Sequence, residues 1–241
     1  MRYDLYLCIL VVQFFFQVIH AQSGDSSNNG AIHESSGCAF TSSATGNGFL
    51  ARFYNYTLGA AYSKTYLESG YATYGKSLGS VSGVTSVNFQ YSGLTNGPLT
   101  RTIYGKSITV TNFTLMLTGY FYASESGYYK FSLTNSDDAA LFYAASASAF
   151  DCCGSTSLSS SANLDDVSIY TYYTGPNGYR QIYLEKGYFY PVRLAYLNMQ
   201  GNLNLNFGVT YPSGAYVNSF SGIVYQFDTS STVLTHQHQL L

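Results

Sequence analysis

The chain has 241 residues, enough for one large all-β domain or two smaller ones. Charged residues make up only 9% of it and the net charge is −2, with ten Lys and Arg scattered along the chain. No basic stripe is left to neutralise a phosphate backbone, which argues against a nucleic-acid partner. The 26 Tyr and 23 Gly enrich the chain in strand formers and turn formers.

Arg2 precedes an apolar run from Leu5 to Ile19 that is broken only by Gln13 and Gln17, and Ala21 ends it. This is the pattern of a signal peptide over residues 1–21, with a mature chain starting at Gln22 and secretion as its consequence. A membrane anchor is the competing reading. The run is short of the roughly 20 apolar residues that a span needs. A short polar segment over 22–37, a long patterned body over 38–228 and a disordered tail over 229–241 complete the expected organisation. Three cysteines stay in the mature chain, Cys38, Cys152 and Cys153. In an oxidising compartment one disulfide from Cys38 to either member of the vicinal pair is expected, because adjacent cysteines rarely bond each other. Asn55-Tyr-Thr and Asn112-Phe-Thr are N-glycosylation acceptors that fit secretion.

Strand signals fill the body. Asn112 to Tyr122 and Gly127 to Thr134, separated by Ser124-Glu-Ser-Gly, predict a hairpin. Gln181 to Leu184 and Tyr188 to Leu197, around Glu185-Lys-Gly187, predict a second. Leu203, Leu205, Phe207 and Val209 alternate with Asn204, Asn206, Gly208 and Thr210, the period-two pattern of a strand with one buried and one wet face. No stretch repeats at helical spacing. The expected fold is two packed antiparallel sheets, a β-sandwich.

Three short signals stand out from this background: Asp137-Asp138, Phe150-Asp-Cys-Cys153 and Tyr196-Leu-Asn198. Two adjacent carboxylates and a later Asn oxygen offer hard ligands of the kind Ca²⁺ takes. A solvated turn is the plain alternative for Asp-Asp, as an ordinary turn is for Gly201-Asn202. Successive side chains of an extended strand point to opposite faces, so a trans Asp-Asp pair chelates one ion poorly.

The strings Phe53-Tyr-Asn-Tyr, Gly70-Tyr-Ala, Lys76-Ser-Leu-Gly-Ser-Val-Ser-Gly83, Asn112-Phe-Thr-Leu-Met-Leu-Thr-Gly-Tyr-Phe121, Ser126-Gly-Tyr-Tyr-Lys-Phe131, Asp137-Asp138, Ala149-Phe-Asp-Cys-Cys153, Gly187-Tyr-Phe-Tyr-Pro-Val-Arg193 and Ser221-Gly-Ile-Val-Tyr-Gln-Phe227 occur in this order over about 190 residues. Together they resemble the N-terminal adhesin domain of yeast flocculins and epithelial adhesins, the PA14-like fungal lectins. The resemblance implies a PA14-type antiparallel sandwich with ligand-binding loops at one end. It implies that Asp137 and Asp138, joined by a cis peptide, bind Ca²⁺ with the side chain of Asn198 and the carbonyls of Gln200 and Asn202. The segment Met199, Gln200, Gly201 and Asn202 then faces the sugar. The implied function is calcium-dependent adhesion to terminal hexoses of cell-surface glycans, at the cell surface or cell wall.

The chain departs from relatives in four respects. It has no Trp, including at Asn202, where some relatives carry an aromatic. No cysteine-rich insertion lies between Tyr91 and Ser107, which turns the expectation from mannose toward galactose-type or other terminal hexoses. The stretch Asp228 to Leu241 holds no cysteine to pair with the second member of the vicinal pair. A Ser/Thr-rich stalk and lipid-anchor signal are missing too, as expected of a shortened or secreted relative or a truncated reading frame.

Two other classes compete with a lectin. A glycoside hydrolase needs two carboxylates straddling the scissile bond at roughly 5–10 Å, and nothing in the spacing of Asp137, Asp138, Asp151, Asp165 and Asp166 places a pair that way. His33, His236 and His238 sit in expected loose ends, without a nucleophile motif, so no catalytic residue is assigned. A non-catalytic cell-wall or mating protein using the sandwich for protein contacts is the alternative to a lectin, and calcium dependence separates the two.

Overall fold

A computed structural model describes residues 35–56, 64–93, 97–145, 149–150, 168–172, 177–228 and 233–238. The leader, Cys152, Cys153, Asp151, Asp165 and Asp166 lie outside the described residues. Two antiparallel sheets face each other. At the centre of the large sheet, Phe113–Tyr122 and Phe189–Asn198 pair along their whole length, from Phe113 opposite Asn198 to Tyr122 opposite Phe189. Ala139–Ala144 and Ser168–Tyr172 extend the sheet on one side; Phe49–Asn55, Ser77–Val84 and Val224–Gln226 extend it on the other. The small sheet holds Gly178–Leu184, Gly127–Asp137 and Leu203–Thr210, flanked at opposite ends by Phe89–Tyr91 and Tyr216–Val217. Aromatic rings from both sheets meet between the layers: Phe142 lies 5.1 Å from Phe131 and 4.7 Å from Phe207, centroid to centroid.

The alternation read over Leu203–Thr210 is present in part, with Leu203, Leu205, Phe207 and Val209 buried and Asn204, Asn206 and Thr210 half-buried, while Gly208, expected on the wet face, is buried against Tyr216. The two hairpins are not. Phe113–Tyr122 belongs to the large sheet and Gly127–Asp137 to the small one, and the same holds for Phe189–Asn198 and Gly178–Leu184. Each turn therefore carries the chain across the sandwich. Both corners lie at one end and are joined: Gly187 N donates to Ala123 O at 2.8 Å and Lys186 N to Ser126 Oγ at 3.0 Å. Tyr129 OH donates to Glu125 O at 2.9 Å, and Tyr190 OH accepts from Glu185 N at 2.8 Å, so a tyrosine stiffens each bend.

Two further expectations are corrected. A helical segment exists, a π-helical turn Tyr66–Gly70 running into an α-helical turn Tyr71–Tyr74. It is too short to show a period, and tertiary contacts hold it: Tyr66, Leu67 and Tyr71 bury themselves on the outer face of the large sheet. Beneath it lies Arg193, only 3% exposed. Its Nη1 donates to Glu68 O at 3.1 Å, and its guanidinium sits 4.8 Å from the Tyr143 ring centre. The tail expected to be disordered over 229–241 contains the strand Val233–His238, paired over six residues with Ser35–Phe40, which also extends the body back past residue 38. Pairing satisfies backbone groups that an open edge would leave to water.

Candidate functional site

The end opposite the corners holds two more crossovers. Asp137 closes a strand of the small sheet, Ala139 opens a strand of the large one, and Asp138 alone joins them. The Asp137–Asp138 peptide bond is cis. The second crossover leaves the large sheet at Asn198 and enters the small one at Leu203. The two are tied together: Asp138 N donates to Leu197 O at 3.0 Å, and Met199 N donates to Asp138 Oδ2 at 2.5 Å, with the Gln200 N–H also reaching that carboxylate. Gly201, at φ 68, allows the tight bend that returns the chain to the small sheet.

Asn198 is fully buried at the base of this loop. Its Nδ2 donates to Val110 O at 2.6 Å, while its Oδ1 has no hydrogen-bond partner among the described residues. An orphaned buried acceptor costs about 1–3 kcal/mol. Tyr196, two residues earlier on the same face of the strand, donates its hydroxyl to Asp137 O and accepts from the Asn204 N–H, pinning both crossovers from below. Sequence reading gave Tyr196 no role. The i, i+2 relation to Asn198 was its only signal.

Burial and, after it, the neighbouring Asp138 push the Asp137 carboxyl up to about 6. Asp138 is also raised by burial, with the Met199 and Gln200 N–H groups working against the shift. The Tyr56 phenol is raised by burial and by Asp138, which places this buried ring in the dyad's field. Two desolvated neighbouring carboxylates and an unpartnered amide oxygen are relieved together by a hard cation with oxygen ligands. Among the described residues no three His, Cys, Asp or Glu side chains gather. A metal here would therefore draw on the dyad with amide and backbone oxygens. Met199 and Gly201 are half-buried at the rim, and Gln200 and Asn202 are exposed.

Asn55 and Asn112, the two sequon residues, line one groove of about 490 Å³ with Pro98, Thr100 and Ile108. Asn55 Oδ1 accepts from Lys76 N, and Thr114 of the second sequon is buried, 2.9 Å from Tyr66 OH. Cys38 is buried and disulfide-bonded; both of its expected partners lie outside the described residues. No helix among the described residues is long and apolar enough to cross a membrane.

This antiparallel sandwich, with crossover loops at one end carrying an Asp-Asp pair, is similar to solved fungal adhesin domains. Residues 113–211 match the GLEYA domain. Over 221 residues the chain is 29% identical to flocculation protein FLO1 of Saccharomyces cerevisiae, covering 76% of this chain and 14% of that protein. With flocculation protein FLO10 of the same yeast the identity is 26%, covering 77% of this chain and 21% of the relative. The chain thus spans about a fifth or less of the length of these two flocculation proteins. The solved A domain of epithelial adhesin 9 from Candida glabrata, in complex with Galβ1-4GlcNAc, superposes with a TM-score of 0.72 at 25% identity, over 81% of this chain and 96% of that one. A subtype-switched epithelial adhesin 9 to 1 A domain in complex with β-lactose gives 0.71 at 26% identity, over 81% and 95%.

Proposed function

We propose that this chain is a calcium-dependent lectin domain of a cell-surface adhesin, binding terminal hexoses of the galactose type. The observation that carries the reading is the buried, unpartnered Oδ1 of Asn198 beside two desolvated carboxylates. Asp137, Asp138 and Asn198 would hold the ion by their side chains, and Gln200 and Asn202 by their carbonyls. When bound, calcium supplies coordination positions for two adjacent sugar hydroxyls. Met199 to Asn202 form the rim that orients the sugar, and Tyr196 fixes the spacing of the two crossovers. Support comes from adhesins of similar fold solved with galactose-containing glycans.

The function is binding without catalysis. Asp137 and Asp138 are consecutive on one crossover, whereas a glycosidase needs two carboxyls facing each other across the substrate. A single site is expected to bind between about millimolar and micromolar, so adhesion rests on many copies acting together. An array of terminal hexoses probed with the protein in millimolar Ca²⁺, and again with a chelator, tests the reading. Calcium-dependent signal on galactose-terminated glycans is expected. Silence in both conditions would turn the assignment to the structural wall-protein alternative. Asp138→Ala is expected to abolish calcium and sugar binding together, and retained binding of either would defeat the proposed cage.

A further inference from the structure

Along Gly127–Asp137 the two faces of the strand exchange just before the dyad. Tyr129, Phe131 and Leu133 are buried in the core, so strict alternation would send Asn135 and Asp137 the same way. Instead Asn135 is exposed, Ser136 is buried and Asp137 is half-buried. The register with Leu203–Thr210 explains the exchange. Thr134 pairs with Asn206 but Asp137 pairs with Asn204, so Asn135 and Ser136 together stand against the single residue Leu205. This is a β-bulge, a device that re-aims the side chains beyond it. Uninterrupted pairing would set Asp137 opposite Leu203, which is 1% exposed and part of the core. Paired positions share a face, so the carboxylate would turn into apolar surroundings.

Two asparagines hold the extra residue. Asn135 sits at φ 53, in the left-handed region that Asn tolerates and β-branched residues avoid. Its N–H donates to Asn177 Oδ1 at 2.9 Å. Asn177 stands just before Gly178–Leu184, where Gly178 pairs with Leu133, so its side chain takes the place of the next rung. The strand opposite the bulge is fixed as well: Asn88 Oδ1 accepts from Phe207 N at 2.8 Å, and Asn88 Nδ2 donates to Asn206 Oδ1 at 3.2 Å. We infer that Asn135 and Asn177 are positioning residues, which act through the bulge to turn the Asp137 carboxylate outward to the cation. The inference rests on the calcium-dependent reading, and neither asparagine belongs to the proposed ligand set.

The test uses the full chain without sugar. Calcium is titrated by calorimetry, and the unfolding midpoint and the exchange rate of the Asn135 amide are measured in calcium-free buffer. Asn177→Ala removes the acceptor; it is expected to speed that exchange and to weaken calcium binding about three- to tenfold, the range of one hydrogen bond. Asn177→Asp keeps an Oδ acceptor and is expected to bind calcium at least as tightly as the wild type. Asn135→Gly adopts the same φ without strain and should stay within about twofold. Asn135→Val, strained there, should lose about tenfold. Unchanged calcium affinity in Asn177→Ala and Asn135→Val would overturn the inference and leave the lectin reading intact, whether or not their unfolding midpoints fall, because a purely structural role moves the midpoint alone. Equal losses in Asn177→Ala and Asn177→Asp would overturn it too. A wild-type chain that takes up no calcium would remove the calcium reading and the inference with it.

Discussion

The two sheets solve the same folding problem differently. In the small sheet, Leu203–Thr210 alternates between core and water; in the large sheet, Phe113–Tyr122, Phe189–Asn198 and Ala139–Ala144 are buried almost without interruption. Antiparallel sheets commonly leave one face wet. Here the Tyr66–Tyr74 segment and a cluster of Phe40, Phe189 and Phe227 cover the outer face of the large sheet as well. The functional crossovers run between these two environments. Asp137 comes from the wet-faced sheet and Asn198 from the dry one, so the site combines an outward carboxylate with an amide oxygen that water does not reach. A cation bound as proposed would draw on both environments.

Perturbing either side sharpens the contrast. Phe142→Ala, between the sheets, is expected to cost about 3–5 kcal/mol, read by urea unfolding; a loss below 1 kcal/mol would mean the layers do not share one core. Arg193→Met tests the second cover. It keeps the apolar stem but strips the donor from Glu68 O, for an expected loss of about 1–3 kcal/mol, and an unchanged midpoint would show that the helical segment is held by its tyrosines alone.

The site itself should respond to pH. Because the Asp137 carboxyl is raised to about 6, protons compete with the cation below that value, and the free carboxylate needed for binding is regained as pH rises through it. Calcium affinity is expected to fall about tenfold between pH 7 and pH 5, measured by calorimetry at constant ionic strength. A flat profile would place the dyad's titration outside the binding step. Smallest of all, Gln181→Ser on the exposed face of the small sheet should change stability by no more than about 0.5 kcal/mol.

Much of this was legible in the sequence, unevenly. Alternation announced Leu203–Thr210 because only one of its faces is buried. The strand formers of Phe113–Tyr122 also announced a strand, but burial on both faces erases the period that would reveal the cover. Ser124-Glu-Ser-Gly and Glu185-Lys-Gly187 marked bends correctly. A turn signal is local, however, and does not tell whether the next strand pairs with the last or faces it across the core. The Asp-Asp pair and Asn198 were readable as oxygen donors. Tyr196 was hidden because its role depends on Asp137 and Asn204, from two distant strands meeting over one hydroxyl.

The placement of the terminal strand pair has a mechanical consequence. Ser35–Phe40, with Val233–His238 beside it, joins the large sheet where Cys38 stands opposite Phe189, at the end away from the crossover loops. Tension between a ligand at one end and this strand pair at the other is directed along the strands. Ladders of the large sheet, whose hydrogen bonds run across that direction, would then be loaded in shear instead of being peeled apart one rung at a time.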